Sequence, residues 1–185
     1  MAAIKVLPSQ EFLQECFNYN PYTGILTWRE RPLSHFKTVS TMRKNNTQYA
    51  NTEAGNLMSN GYLRVTISYT VYQVHRVIYK LVTGLEPPPE LDHENNIKTD
   101  NRWSNLRTAT VNQNRHNIRK PRDNTSGYKG VSTYKGRKGD SIKFAAAIVI
   151  NKKRIFLGYF RDPKIAHEVY CEASKKYHGE FSNFG

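Results

Sequence analysis

The strongest constraint on this chain is a central stretch whose polar loop suits turns and not a hydrophobic core. From Leu91 to Asn117 it reads LDHENNIKTDNRWSNLRTATVNQNRHN, with Asn, Asp and Thr crowded ahead of Trp103 and Leu106. Such composition suits turns, not packed interior. The segments on either side must therefore supply the apolar packing, and this stretch is where candidate chemistry gathers.

Two features give the stretch order. Asp92 and His93 stand together behind a proline run, and Thr110 and Gln113 have the spacing of a capping box. In that motif two side chains reciprocally satisfy free backbone N–H groups at a helix start, so a short polar helix is expected from about Val111. Asn114 then lies one turn in and can face Asp92 if the intervening loop folds over. A carboxylate, an amide oxygen and open coordination positions suit one hard divalent cation, Mg²⁺ or Mn²⁺, completed by water and phosphate oxygens. His93, not needed as a ligand, is left as a general base.

Charge points to a polyanion. Across 185 residues Lys+Arg number 28 against 15 Asp+Glu, a formal net charge of +13. Between Arg107 and Arg154 there are 13 Lys or Arg and 2 Asp, so 13 − 2 = +11 of that charge sits in one stretch. A solvated charged face is the plain reading of a basic run; beside the motif residues, a nucleic-acid contact is favoured. Membrane binding is disfavoured: no apolar run approaches the ~20 residues needed to span, and the N-terminus lacks a signal-peptide core. Cys16 and Cys171 are too few and too far apart for a disulfide framework or zinc site.

In chain order, Ser9 caps an expected helix carrying Phe12, Leu13, Cys16 and Phe17, which stops at Asn20-Pro21. Ile25–Trp28 is a short strand, and Arg29 to Asn51 is expected as a long exposed loop. Its Arg29, Arg31, Lys37, Arg43 and Lys44, set among Trp28, His35, Phe36 and Tyr49, are compatible with phosphate and stacking contacts. Asn60-Gly61 turns the chain into paired strands over Tyr62–Ile67 and Val71–Val74. Val77, Ile78, Leu81 and Val82 mark a helix from His75 that ends at Gly84, with Pro87–Pro89 blocking continuation. Flanked by Val74 and Val77, His75 reads first as a packed, hydrogen-bonded residue. The segment 117–126 is a basic linker. Three strands follow, at Gly127–Val131, Lys143–Ile148 and Lys153–Phe160, then a helix opened by Asp162-Pro163 with Ala166, Val169, Tyr170, Ala173 and Tyr177 on one side.

The central stretch resembles the HNH nucleases, in the phage type whose pattern runs V-H-R, D-H, N-x-x-N-L-R, T-x-x-x-N. Here these are Val74-His75-Arg76, Asp92-His93, Asn101, Asn105-Leu106-Arg107, Thr110 and Asn114. The resemblance implies a ββα-metal module in which Asp92 and Asn114 hold the metal, His93 activates water, Asn105 orients the motif and His75 supports it. The C-terminal part, Gly127 to Phe184, resembles the AP2 domain, a three-stranded antiparallel sheet backed by one helix that lays its strands in DNA. Its marks are Gly-Tyr-Lys-Gly-Val, Phe-Ala-Ala, Phe-Leu-Gly-Tyr-Phe, Ala166-His167, Tyr170 and Phe181 to Phe184. By that resemblance Lys129, Lys143, Arg154 and Phe156 fall at DNA contacts, with Tyr134 on the same face. Phe144, Phe160 and Tyr170 read as ordinary core. Ser132, Ala147 and Val149 stand where the plant-type family has Arg, Glu and Arg, leaving fewer bidentate base contacts.

The expected architecture is therefore α+β: residues 1–118 as an HNH nuclease module, 119–126 as a basic linker and 127–185 as an AP2-like module. Arg107, Arg115, Arg119 and Lys120 are further candidate DNA contacts in the basic stretch. The implied function is site-specific, metal-dependent cleavage of double-stranded DNA, of homing type, in a cytoplasmic setting (the host's, for a phage gene). A DNA-binding regulator with an inactive nuclease module is the alternative, and an RNA-binding protein a more distant one. No membrane or protein partner is evident, and the residues leave monomer or homodimer, the target and the number of strands cut open.

Overall fold

A computed structural model describes residues 5–118, 120–135 and 142–185. Helix and strand are mixed, and the chain divides into two compact units, Met1–Ala109 and Thr110–Gly185. No helix among the described residues is long and apolar enough to cross a membrane.

In the first unit, helix α1 (Gln10–Cys16) starts where Ser9 caps it, its side chain accepting from the Phe12 N–H at 3.3 Å. Leu13 and Cys16 face the core. Strands β1 (Phe17–Tyr19) and β2 (Leu26–Trp28) pair antiparallel across a turn. Asn20 Oδ1 accepts from the N–H groups of Tyr22 and Thr23 there. Gly24 in that turn has φ +77°, and a Cβ on it would come within 2.5 Å of the Arg102 backbone nitrogen. Only glycine permits both that conformation and that approach.

The expected loop after Trp28 is not a loop throughout. It contains a 3₁₀ turn at Leu33–His35 and helix α2, Val39–Tyr49, capped by Thr38. No apolar periodicity announces α2, and none of its residues is buried. A sheet of order β3-β4-β5 follows, from β3 (Asn56–Leu57), β4 (Leu63–Ile67) and β5 (Thr70–Gln73). Ser68 and Tyr69, both at positive φ, make the two-residue turn joining β4 to β5. Helix α3 (Val74–Thr83) buries Val74, His75, Val77 and Ile78 and stops at Gly84, whose left-handed φ of +75° closes the C-cap. Val74, Val77 and Ile78 join Leu7, Leu13, Phe17, Leu26, Val65 and Ile67 in one core. Last comes an antiparallel ribbon, β6 (Glu90–His93) on β7 (Leu106–Ala109).

The second unit begins with helix α4 (Val111–His116), on the expected Thr110–Gln113 capping box. Its sheet has order β10-β9-β8, all antiparallel, from β8 (Val131–Tyr134), β9 (Lys143–Ile150) and β10 (Lys153–Phe160). The first strand is thus later than expected. Gly127 and Gly130 both take positive φ, and the segment before Val131 is a turn stitched by the Asn124 and Ser126 side chains to the Tyr128 and Val131 carbonyls. A Cβ on Gly130 would collide with the Tyr170 ring at 2.0 Å. Helix α5 (Pro163–His178) lies on the sheet through Ala166, Tyr170 and Ser174, an i, i+4 stripe that leaves Tyr177 of the expected face exposed.

Candidate active site

The ribbon register decides what Asp92 meets. Asp92 lies directly opposite Arg107, and His93 opposite Leu106. Opposed residues in an antiparallel pair share a face, and the Arg107 guanidinium donates to Asp92 Oδ2 from Nε at 3.0 Å and from an Nη at 2.9 Å. Both side chains are largely withdrawn from water. A buried carboxylate requires such a partner, because its unpaired charge would be costly to desolvate.

The residues between the two strands form a loop held by its own polar side chains. Asn105, buried, donates from Nδ2 to the Asp100 carbonyl at 2.7 Å and accepts at Oδ1 from the Asn95 N–H at 3.0 Å. Asp100 receives the Arg102 guanidinium at 2.6 and 2.8 Å and the Asn95 amide at 2.7 Å. The hydrogen bonds from Arg102, first among the causes, bring its pKa down to about 2. Beyond the loop, the Tyr19 hydroxyl donates to the Asn101 carbonyl at 2.8 Å and the Trp103 N–H to the Pro21 carbonyl at 3.1 Å. The β1–β2 hairpin thus fixes the loop that carries the motif's asparagines.

His93 is almost wholly buried, its Nε2 at 3.1 Å from Asn101 Oδ1. In the tautomer that donates from Nε2 to that oxygen, the neutral ring keeps its lone pair on Nδ1. His75 and Tyr62 pack beside it, with ring centroids 5.1 and 5.9 Å away. Burial lowers the His93 pKa, opposed by the Asn101 hydrogen bond and by the charges of Asp92 and Asp100. Burial and the neighbouring His93 bring His75 to about 3, so it is neutral at physiological pH. The chemistry available here is proton acceptance by an uncharged imidazole next to a carboxylate.

Asn101 carries more of this arrangement than its place in the motif pattern suggested. Its side chain orients His93, its carbonyl anchors Tyr19, and its Nδ2 has no hydrogen-bond partner among the described residues. Tyr62 had no sequence signal at all. It is identifiable only from its contacts with both imidazoles and from the Lys98 ammonium 4.6 Å over its ring.

Asn114 lies on α4, in the second unit, whereas Asp92, His93 and Asn105 lie in the first. Helix α4 is fastened within its own unit. The His116 ring stacks on His178 at 3.7 Å, Lys129 Nζ donates to the His116 carbonyl at 2.9 Å, and Asn183 Nδ2 donates to Asn117 Oδ1 at 3.3 Å. Lys129 is therefore turned to α4, half-buried, with its pKa lowered by burial to about 8. Among the described residues no cluster of three or more His, Cys, Asp or Glu could hold a metal.

The other candidate contacts divide by place. Tyr134 lies opposite Lys143, Arg154 opposite Val149 and Phe156 opposite Ala147, all on the sheet face away from α5. A bulge between Phe156 and Gly158 brings Tyr159 to the same face, its ring 4.9 Å from Tyr134 and 4.8 Å from Phe156. Leu157 and Phe160 pack instead into the core with Val131, Ala146 and Ala166. Arg115 is exposed on α4, and the Lys120 ammonium donates to the Gly127 carbonyl. Arg119 lies outside the described residues.

Residues 72–116 match the family model of HNH endonucleases. That segment holds His75, Asp92, His93, Asn101, Asn105, Arg107 and Asn114, and the match supports a nuclease function. No curated protein and no solved structure matches the chain.

Proposed function

We propose that this chain is a site-specific DNA endonuclease of the homing type, dependent on one divalent ion. Its HNH motif would hydrolyse phosphodiester bonds, and an AP2-like module would hold the DNA. In this reading residues 1–118 form the nuclease module, 119–126 a basic linker and 127–185 the AP2-like module. The observation that carries it is His93: a buried, neutral imidazole, oriented by Asn101 and adjacent in sequence to the buried Asp92 carboxylate, inside the segment that matches HNH endonucleases.

His93 takes a proton from the water that attacks phosphorus, leaving 5′-phosphate and 3′-hydroxyl ends. The donor chemistry suits a hard cation such as Mg²⁺ or Mn²⁺. Asp92 and Asn114 would present a carboxylate and an amide oxygen to it, and an ion at Asp92 would share that carboxylate with Arg107. A bound ion would contribute charge stabilisation at the scissile phosphate and the departing 3′ oxygen. Asn105 positions the motif by closing the loop on Asp100 and Asn95. The exposed Tyr134, Lys143, Arg154 and Phe156 supply phosphate charge and apolar contact to DNA, with Arg107, Arg115, Arg119, Lys120 and Lys129 as further contacts from the same basic stretch of sequence.

General-base assistance typically contributes ~10²- to 10⁴-fold, so His93→Ala should lose cleavage by about that factor while binding duplex DNA almost as well as wild type. The test incubates both proteins with long duplex DNA in Mg²⁺ or in chelator and resolves products on native and denaturing gels. Discrete metal-dependent fragments absent from the variant are expected. Survival of cleavage to within a few-fold would remove His93 from the base role. Binding with no product from wild type would favour the DNA-binding regulator.

A further inference from the structure

Helix α2 raises a physical question of its own. None of its 11 residues is buried, and a helix that buries no side chain must be held by something other than core packing. Arg31 holds it at one end of the contact and the Tyr49 ring, 6.5 Å from Trp28, at the other. The Asn46 side chain exchanges two hydrogen bonds with the Arg31 backbone, at 3.0 and 3.1 Å. The Arg31 guanidinium in turn lies over the rings of Trp28, at 4.5 Å, and Phe36, at 4.8 Å.

That guanidinium is preorganised and half-buried, yet among the described residues no carboxylate reaches it and no protein oxygen accepts from it. Five donors on a planar fork, partly desolvated and fixed between two rings, are ready for an oxyanion. The group forms part of the wall of a cleft of about 550 Å³ between α2 and β4. Asn45, Gln48 and Tyr49 line it from the helix, at the i, i+3, i+4 spacing of one face, and Asn56 and Thr66 line it from the sheet. From Arg31 to Thr52 the chain carries Arg31, Lys37, Arg43 and Lys44 and no Asp or Glu.

We propose that this cleft seats the phosphodiester backbone of a DNA strand, with Arg31 as the anchoring cation and the amides of Asn45, Gln48 and Asn56 donating to further phosphate or sugar oxygens. Arginine and side-chain amides are the usual donors to DNA phosphates, where they fix register without reading sequence. Glu53 also lines the cleft; its charge opposes a doubly charged phosphate monoester more than a singly charged diester, which favours DNA backbone over free phosphate. The inference rests on the reading of the chain as a DNA nuclease. It adds a contact outside the motif, since every residue lining the cleft precedes residue 72.

The test measures equilibrium binding of the full-length protein to fluorescent duplex DNA without divalent metal, from ~50 to ~200 mM salt, where the slope of log K against log salt counts phosphates contacted. Arg31→Gln should reduce that slope by about 0.9, the value of one phosphate on duplex DNA, and weaken binding at every salt concentration. Arg31→Lys should keep the slope but bind more weakly, having the charge without the fork. The double variant Asn45→Ala/Gln48→Ala, on the surface of α2, should lower affinity with the slope unchanged. Inorganic phosphate should compete no better than chloride at equal ionic strength; stronger competition would make the cleft a free-phosphate site and overturn the proposal. So would Arg31→Gln with wild-type slope and affinity. Should Arg31→Gln melt early, the double variant decides, and wild-type affinity there overturns the proposal. Wild-type protein that fails to bind duplex DNA at low salt would sink the nuclease reading itself, visibly and before any variant is compared.

Discussion

The ribbon that carries Asp92 and His93 and the open face of the C-terminal sheet are built on opposite terms. In the ribbon, its loop and the α3 histidine beside them the important groups are polar and buried: His75, Asp92, His93, Asn101 and Asn105 are each no more than 6% exposed. On the sheet they are apolar and exposed: Tyr134 is 45%, Phe156 55% and Tyr159 52% exposed. A group that must hold a proton in a fixed orientation needs neighbours that set its tautomer and charge, and only burial supplies them. A surface that receives a long polyanion needs reach, and its contacts can be numerous and individually weak. Substitutions in the first region should therefore act on folding and chemistry together, and those in the second on binding alone.

The sharpest way to break that contrast is Arg107→Ala. It leaves Asp92 buried without its guanidinium, and removing one partner of a buried ion pair costs about 3–5 kcal/mol. Urea denaturation should show a loss of that order, with unchanged m-value. If Arg107 were instead only a phosphate contact, stability would hold and the salt dependence of DNA binding alone would fall. That result would move Arg107 from the first region to the second.

Acid should separate the regions next. In the unfolded chain His75 takes up a proton near its ordinary pKa of 6.5, but in the fold only near about 3. Protons therefore favour the unfolded chain. The stability held by the neutral ring is complete above pH 6.5 and is lost as pH falls below it, by up to ~1.4 kcal/mol per pH unit for this one group. His93 is shifted the same way and adds to the slope. Urea midpoints compared at about pH 7, 6 and 5 should fall accordingly. A flat response would mean that the two imidazoles are hydrated and that the ribbon is no more enclosed than the sheet.

What could be read in the residues follows the same division. Caps and apolar stripes are local and legible: Ser9 before α1, the Thr110–Gln113 box before α4, Val77 and Ile78 on the buried face of α3 with Gly84 behind it, although Val74, expected in the strand, belongs to that face and Val82 is exposed. The motif spacing singled out Asp92, His93, Asn105 and Asn114, but not the pairing of Asp92 with Arg107. That pair depends on the register of two short strands whose residues, Glu-Leu-Asp-His and Leu-Arg-Thr-Ala, carry too little alternation to announce a ribbon. Helix α2 was illegible for a related reason. It is held by a side-chain amide on a distant backbone and by an arginine between two rings, and neither leaves a periodic trace. The late start of β8 turns on Gly130 lying under Tyr170, a contact between residues forty apart in the chain.

The smallest expected effect is also the cleanest check on the sheet. Phe156→Ala removes a large apolar side chain that covers no core, so stability should stay within about 0.5 kcal/mol of wild type. Phe17→Ala, at a site only 2% exposed, should cost ~3–5 kcal/mol. Against duplex DNA the order should invert: Phe156→Ala weakens binding with little change in the salt slope, because a phenyl ring displaces no counterions. Lys143→Ala or Arg154→Ala on the same face should lower the slope by about 0.9 each. Should Phe156→Ala destabilise the protein while leaving DNA affinity intact, the open face would be a packing surface, and the binding assigned to it would have to move to the basic residues around it.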